Sequence, residues 1–214
     1  MEEYILYKES TASLDVDSQK GFTPLCPNEL PVPEGDEIVD EQNTQAKKAK
    51  YRLGSKDAHH RKAIWVATAN EPQLTPIVGT NVDVRWNSHC NIGEYGFELL
   101  DGLPPVSEYD FFVYKGIELD MHPYSACYHD LAKTKSTGLI EWLLQHDISD
   151  VIVGGLATNY CVFETVVDLV NAGFQVILNL GACRGLGDIN PSIEKMKAMG
   201  VIIVNNASEI VVHD

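Results

Sequence analysis

Three reactive side chains stand at the ends of short apolar runs. Asp17 closes Leu14-Asp15-Val16, Lys115 closes Phe111-Phe112-Val113-Tyr114, and Cys161 lies just past Val151-Ile152-Val153-Gly154-Gly155-Leu156. A cysteine at the start of a helix faces the positive end of the macrodipole, which favours its thiolate, and a nearby lysine favours it further. A carboxylate in hydrogen-bond reach can take the thiol proton and later deliver it to a leaving amine, while backbone N–H groups at the helix entrance stabilise an oxyanion. Sulfur, carboxylate and ammonium together are equipped for amide hydrolysis. Taken singly, each has a plainer use: a small core residue, a surface charge, a helix cap.

A second cluster is Asp57-Ala58-His59-His60, at the end of a strand expected to begin near Tyr51. Residues two apart on a strand point the same way, so Asp57 and His59 share a face. With His89, from Trp86-Asn87-Ser88-His89-Cys90, they offer a carboxylate and two imidazoles, a suitable set for zinc or ferrous iron; manganese accepts such ligands too. His60 points the opposite way and reads as a neighbour or a surface residue. His122, His129, His146 and His213 read as structural or exposed.

These groups need a scaffold that gathers them. The apolar runs Ser13 to Val16, Phe111 to Tyr114, Val151 to Val153, Val176 to Leu180 and Val201 to Val204 are too uniformly apolar for one-sided sheets. Helical patterns alternate with them: Thr137 to His146, Cys161 to Ala172, and Pro191 to Met199, the last with Asn190 as N-cap and Gly200 as terminator. Strand-helix alternation predicts an α/β fold, a mostly parallel sheet with helices on both faces, and in such sheets ligands sit beyond the carboxyl ends of the strands. From about 61 to 103 no period is sustained, which reads as a long loop or lid. Lys47, Lys48 and Lys50 read as a solvated helix face.

The 214 residues suit a single domain spanning 1–214. A formal charge of −15 works against nucleic acid and anionic membranes but sets no barrier to a neutral ligand. No apolar run approaches a membrane span, and MEEYILYKES is too acidic for a secretory signal, so a cytoplasmic location is expected. The five scattered cysteines suggest no disulfide framework.

Several separated segments then agree in order with one family. Val16-Asp17-Ser18-Gln19-Lys20-Gly21-Phe22, Val32-Pro33-Glu34-Gly35-Asp36, Asp57-Ala58-His59, Trp86-Asn87-Ser88-His89-Cys90, Tyr114-Lys115-Gly116 and Gly155-Leu156-Ala157-Thr158-Asn159-Tyr160-Cys161-Val162 resemble the landmarks of nicotinamidases in the isochorismatase-like cysteine hydrolase superfamily. The resemblance implies a six-stranded, mostly parallel sheet and a catalytic triad of Asp17, Lys115 and Cys161 that converts nicotinamide to nicotinate and ammonia through a thioester, in NAD salvage. It implies a divalent ion, zinc or iron, on Asp57, His59 and His89, with waters completing its shell and the substrate's pyridine nitrogen docking to it. Phe22 and Trp86 would sandwich the ring, and Leu156 and Tyr160 would wall the pocket. A cis peptide would precede Ala157, whose N–H would join that of Cys161 in an oxyanion hole. Pyrazinamide is an expected further substrate, and a homo-oligomer is compatible with the resemblance. The sequence departs from the family at Asn159, where many relatives have Asp, and at Ala58, which replaces an aromatic residue. It departs again at Trp65, where some relatives carry a further metal-binding histidine. A metal-free carbamoyl or ureido amidohydrolase of the same superfamily, or an inactive binding protein on this fold, are the rival readings.

Overall fold

A computed structural model describes residues 6–79 and 81–213; the reading of residues 1–5 as lacking a signal lies outside these. Six strands form one wholly parallel sheet: β2 (Thr11–Val16), β3 (Tyr51–Asp57), β4 (Phe111–Lys115), β5 (Asp150–Leu156), β6 (Gln175–Arg184) and β7 (Ile202–Val204), in the order β4-β3-β2-β5-β6-β7. Two short strands, β1 (Leu6–Tyr7) and β8 (Val212–His213), pair in parallel beside it. The chain builds outward from β2 to β4, then returns to place β5 on the other side of β2. That reversal opens a crevice at the carboxyl ends of β2 and β5.

The alternation of side chains along each strand sorts the two faces. Leu14, Val16, Val151, Val153, Val176 and Leu178 point into the main core. There they meet α2 (Leu139–Gln145), α3 (Phe163–Asn171) and α4 (Asn190–Ala198) through Leu143, Val166, Leu169, Ile193 and Met196. The opposite face carries a smaller apolar group of Leu6, Ile152, Ile177, Val204 and Ile210. It also receives α1 (Val39–Ala46), which docks by amide side chains. Gln45 donates to Ser13 Oγ (3.1 Å) and accepts from Asn179 (3.1 Å), and Gln42 donates to Ser18 Oγ (2.7 Å).

Three expectations about local structure need correction. Lys47, Lys48 and Lys50 follow α1 in a turn instead of lying on a helix, and Lys50 pairs with Glu9 at 2.7 Å. Asn190 is the first residue of α4, not its cap. Its N–H and its side-chain amide donate to the carboxylate of Asp188 at 3.0 and 2.9 Å, so Asp188 satisfies the first backbone donor of the helix. The helix expected from Cys161 opens instead with a π-helical turn, Thr158–Val162, that leads into α3. Between β3 and β4 the described residues hold turns and isolated bridges but no α-helix or extended strand, in line with the missing period there. No helix among the described residues is long and apolar enough to cross a membrane.

Candidate active site and metal centre

Four adjacent strands deliver the reactive groups to one edge of the sheet. Asp57 and Lys115 end β3 and β4 directly opposite one another in the ladder, and Asp17 and Cys161 follow β2 and β5. Asp17 adopts φ +46, a left-handed turn that an L-residue rarely takes and that turns its side chain out of the strand's course. The turn is held because its N–H reaches the Ser55 carbonyl and hydroxyl, both at 3.2 Å, while that hydroxyl donates to Asp17 Oδ1 at 2.6 Å. Gln19 fixes the neighbouring strand end: its amide donates to the Asp57 carbonyl and accepts from the Asp57 N–H, each at 2.8 Å. The Asp17-x-Gln19 spacing thus supplies one reacting group and one clamp.

Lys115 stands at the centre and is completely buried. Its ammonium lies 2.9 Å from Asp17 Oδ2 and 3.7 Å from Cys161 Sγ, and it bonds Asp57 Oδ1 directly. Burial alone would discharge this lysine, but the carboxylates of Asp17 and Asp57 outweigh that effect and hold its pKa well above the ordinary value. Burial pushes the Asp17 carboxyl up, Lys115 pulls it down and the charge of Asp57 pushes it up again, leaving it raised. The Cys161 thiol is also pushed well up by burial, only partly countered by Lys115. The expectation of a favoured thiolate therefore reverses in direction: burial and the two carboxylates hold the thiol above its ordinary pKa. Asp17 Oδ2, buried and without an aligned donor, is placed to receive the thiol proton.

On the far side of Asp57 the imidazoles gather. Asp57 Oδ2 lies 3.3 Å from His59 Nε2 and 3.8 Å from His89 Nε2. Each ring is oriented from behind by a carbonyl: Gly116 O accepts from His59 Nδ1 at 3.0 Å, and Asn87 O accepts from His89 Nδ1 at 2.6 Å. Those bonds leave the Nε2 lone pairs pointing forward, the arrangement by which a carbonyl behind a histidine selects the metal-binding tautomer. Bonds of about 2.0–2.2 Å to one cation would set adjacent donor atoms roughly 3–3.5 Å apart. The two distances from Asp57 Oδ2 are near that spacing already. His59 Nε2 is buried with no hydrogen-bond partner, as an atom awaiting a cation would be. The residues fit a divalent metal.

A narrow pocket joins the two clusters, with Asp57, His89 and Cys161 in its lining. Its aromatic side holds Phe22, Trp86 and Tyr160; Trp86 meets Tyr160 edge to face at 5.1 Å and donates to Tyr124 Oη at 3.1 Å. Leu156 is fully buried in the cluster behind this wall, next in sequence to Ala157, which does line the pocket. The Leu156–Ala157 peptide is cis. Asn159 grips Leu186, another lining residue, donating to its carbonyl at 2.7 Å and accepting from its N–H at 3.1 Å.

Sequence reasoning missed Leu30, Tyr124 and Leu186 in the lining, because no local pattern marks a loop residue as facing a cavity. Expected to be structural or exposed, His122 is buried, lines the pocket, and offers a nitrogen within 4.8 Å of donors from both His59 and His89. His60 is exposed, as anticipated, and His146 stacks on Trp142 at 3.7 Å far from this cluster.

Residues 11–208 match the isochorismatase domain family. The Escherichia coli (strain K12) nicotinamidase is 32% identical over 183 residues, covering 82% of this chain and 83% of that one. An Acinetobacter baylyi nicotinamidase is 29% identical over 94% of each chain. Among solved structures, a nicotinamidase/pyrazinamidase of Acinetobacter baumanii superposes with TM-score 0.86 at 26% identity, over 95% of this chain and 99% of that one. A zinc complex of the Pyrococcus horikoshii pyrazinamidase gives TM-score 0.72 at 28% identity, over 91% and 98%. The chain belongs to the isochorismatase family of hydrolases. Within that family its similarity is to the nicotinamidases.

Proposed function

We propose that the chain hydrolyses nicotinamide to nicotinate and ammonia through a thioester on Cys161. The observation that supports this most is the fully buried ammonium of Lys115. It joins the Cys161 sulfur and the Asp17 carboxylate to Asp57, which faces two imidazoles, beside an aromatic-walled pocket that Cys161 and Asp57 help line. The relatives named above carry the substrate.

Asp17 takes the Cys161 proton as the sulfur attacks the carboxamide carbon. The oxyanion of the tetrahedral adduct lies toward the N–H groups of Ala157 and Cys161. As the C–N bond breaks, Asp17 returns its proton to the departing nitrogen, which leaves as ammonia. A water then gives a proton to Asp17 and attacks the thioester; the C–S bond breaks, the sulfur recovers the proton, and nicotinate is released. Throughout, Lys115 keeps the buried Asp17 ionised and steadies the sulfur's negative charge. Phe22 and Trp86 flank the ring and Tyr160 closes its edge. Asp57, His59 and His89 would hold a zinc, iron or manganese ion, which when bound supplies a Lewis-acid anchor for the ring nitrogen. Pyrazinamide keeps both the carboxamide and that nitrogen, so it is accepted as well. The activity belongs to NAD salvage in the cytoplasm.

Purified protein should release ammonia from nicotinamide, and Cys161→Ala should abolish turnover with the fold intact. Folded wild-type protein inert toward nicotinamide would sink the reading. A metal-free carbamoyl or ureido hydrolase asks for no imidazole cluster beside its triad; full activity after complete metal removal would favour that alternative.

A further inference from the structure

His122 has no part in the ligand set of Asp57, His59 and His89. Yet it is buried at 3% exposure with neither ring nitrogen hydrogen-bonded, although any tautomer of a neutral imidazole carries one donor and one acceptor. Leaving both unmet in a buried place is costly. Its ring lies almost parallel to that of His59, 20° apart with centroids at 5.2 Å, and 5.8 Å from that of His89. One nitrogen from each of the three rings falls within 4.8 Å of the others.

The placement is built from two sides. His122 N–H donates to the Asn81 carbonyl at 2.8 Å, fixing the backbone. The preceding carbonyl, of Met121, accepts from the indole of Trp65 at 2.9 Å, and the same indole packs edge-on against the rings of His122 (4.5 Å) and His59 (4.6 Å). Trp65 has no lone pair to offer a metal. What it does offer is a rigid back wall that presses His122 toward the other imidazoles.

We infer that His122 is a third imidazole ligand of the metal centre, brought in from the loop after β4 and positioned by Trp65. The inference rests on the metal-assisted reading above. It makes the protein's share of the shell one carboxylate and three imidazoles, leaving fewer positions to water.

The test is zinc affinity of the chelator-stripped full chain, by competition with a chromophoric chelator, for wild type, His59→Phe and His122→Phe. Phenylalanine keeps the ring volume and removes the donor, and thermal unfolding of each stripped protein checks the fold. His122→Phe should weaken zinc binding by at least the ~10–100-fold that even outer-shell partners cost. The cobalt-loaded wild type and His122→Phe should also differ in their visible spectra, as a change of ligand set requires. If His59→Phe loses zinc while His122→Phe keeps wild-type affinity and cobalt spectrum, His122 is no ligand and the metal-assisted reading still stands. If wild type binds no zinc, both fall together. Should His122→Phe prove unfolded, the ring-nitrogen NMR shifts of zinc-loaded wild type decide: an unmoved His122 overturns the assignment.

Discussion

The reacting groups are poised by burial more than by the helix end that first draws attention to the cysteine. A thiol and a carboxyl, both raised by desolvation, stand on either side of one ammonium. This has a consequence for pH dependence. Asp17 must be ionised to accept the proton, and burial raises its pKa above the ordinary 3.8, so activity is lost as pH falls through that raised value. The acid limb of kcat/KM should therefore lie above pH 3.8 and vanish, together with activity, in Asp17→Asn. A limb at or below the ordinary carboxylate value would assign the base elsewhere. At this scale Asp17, Lys115 and Cys161 were legible because each closes or follows an apolar run. His122 was not, because it sits on irregular chain, and what aims it is an indole distant in sequence.

Elements were legible in proportion to how apolar their contacts are. Strands β5 and β6 announce themselves because hydrophobic residues cover both faces, and α3 because its stripe of Val166, Leu169 and neighbours fills the core. Helix α1 leaves no such trace: it docks through Gln42 and Gln45 onto Ser18, Ser13 and Asn179, and an amide-to-hydroxyl interface looks like solvent-facing sequence. The strand-to-loop junction after β4 makes a prediction of its own. Gly116 adopts φ +74, and a Cβ there would sit 2.6 Å from His59 Nδ1, the atom its carbonyl now holds. Gly116→Ala should cost about 1 kcal/mol or more of stability from backbone strain. It should also weaken zinc binding about tenfold by displacing the ring. Calorimetry and a zinc titration check the two effects separately; an unchanged titration would mean that the Gly116 carbonyl does not orient His59.

Across the molecule, acidic residues outnumber basic ones enough to give −15, and most of that charge has no bearing on a neutral amide. Self-repulsion of this kind opposes the compact state and is screened by salt, the Debye length falling from about 30 Å at 0.01 M to about 8 Å at 0.15 M. The melting temperature should rise over that interval while kcat/KM for uncharged nicotinamide changes little. A melting temperature that falls would show that the surface ion pairs, such as Lys20 with Glu98 and Asp101, outweigh the excess of like charge.

Asp57 turns one oxygen toward Lys115 and the other toward His59 and His89, so a single carboxylate is shared by both halves of the pocket. Whatever engages one oxygen changes how firmly the other grips its partner, and equilibrium linkage makes such an influence run both ways. Loading zinc should alter the rate at which iodoacetamide caps the thiol, and a capped enzyme should hold zinc with a different affinity from an uncapped one. Reagents that poison the sulfur and reagents that strip the ion would then interfere with each other instead of acting independently.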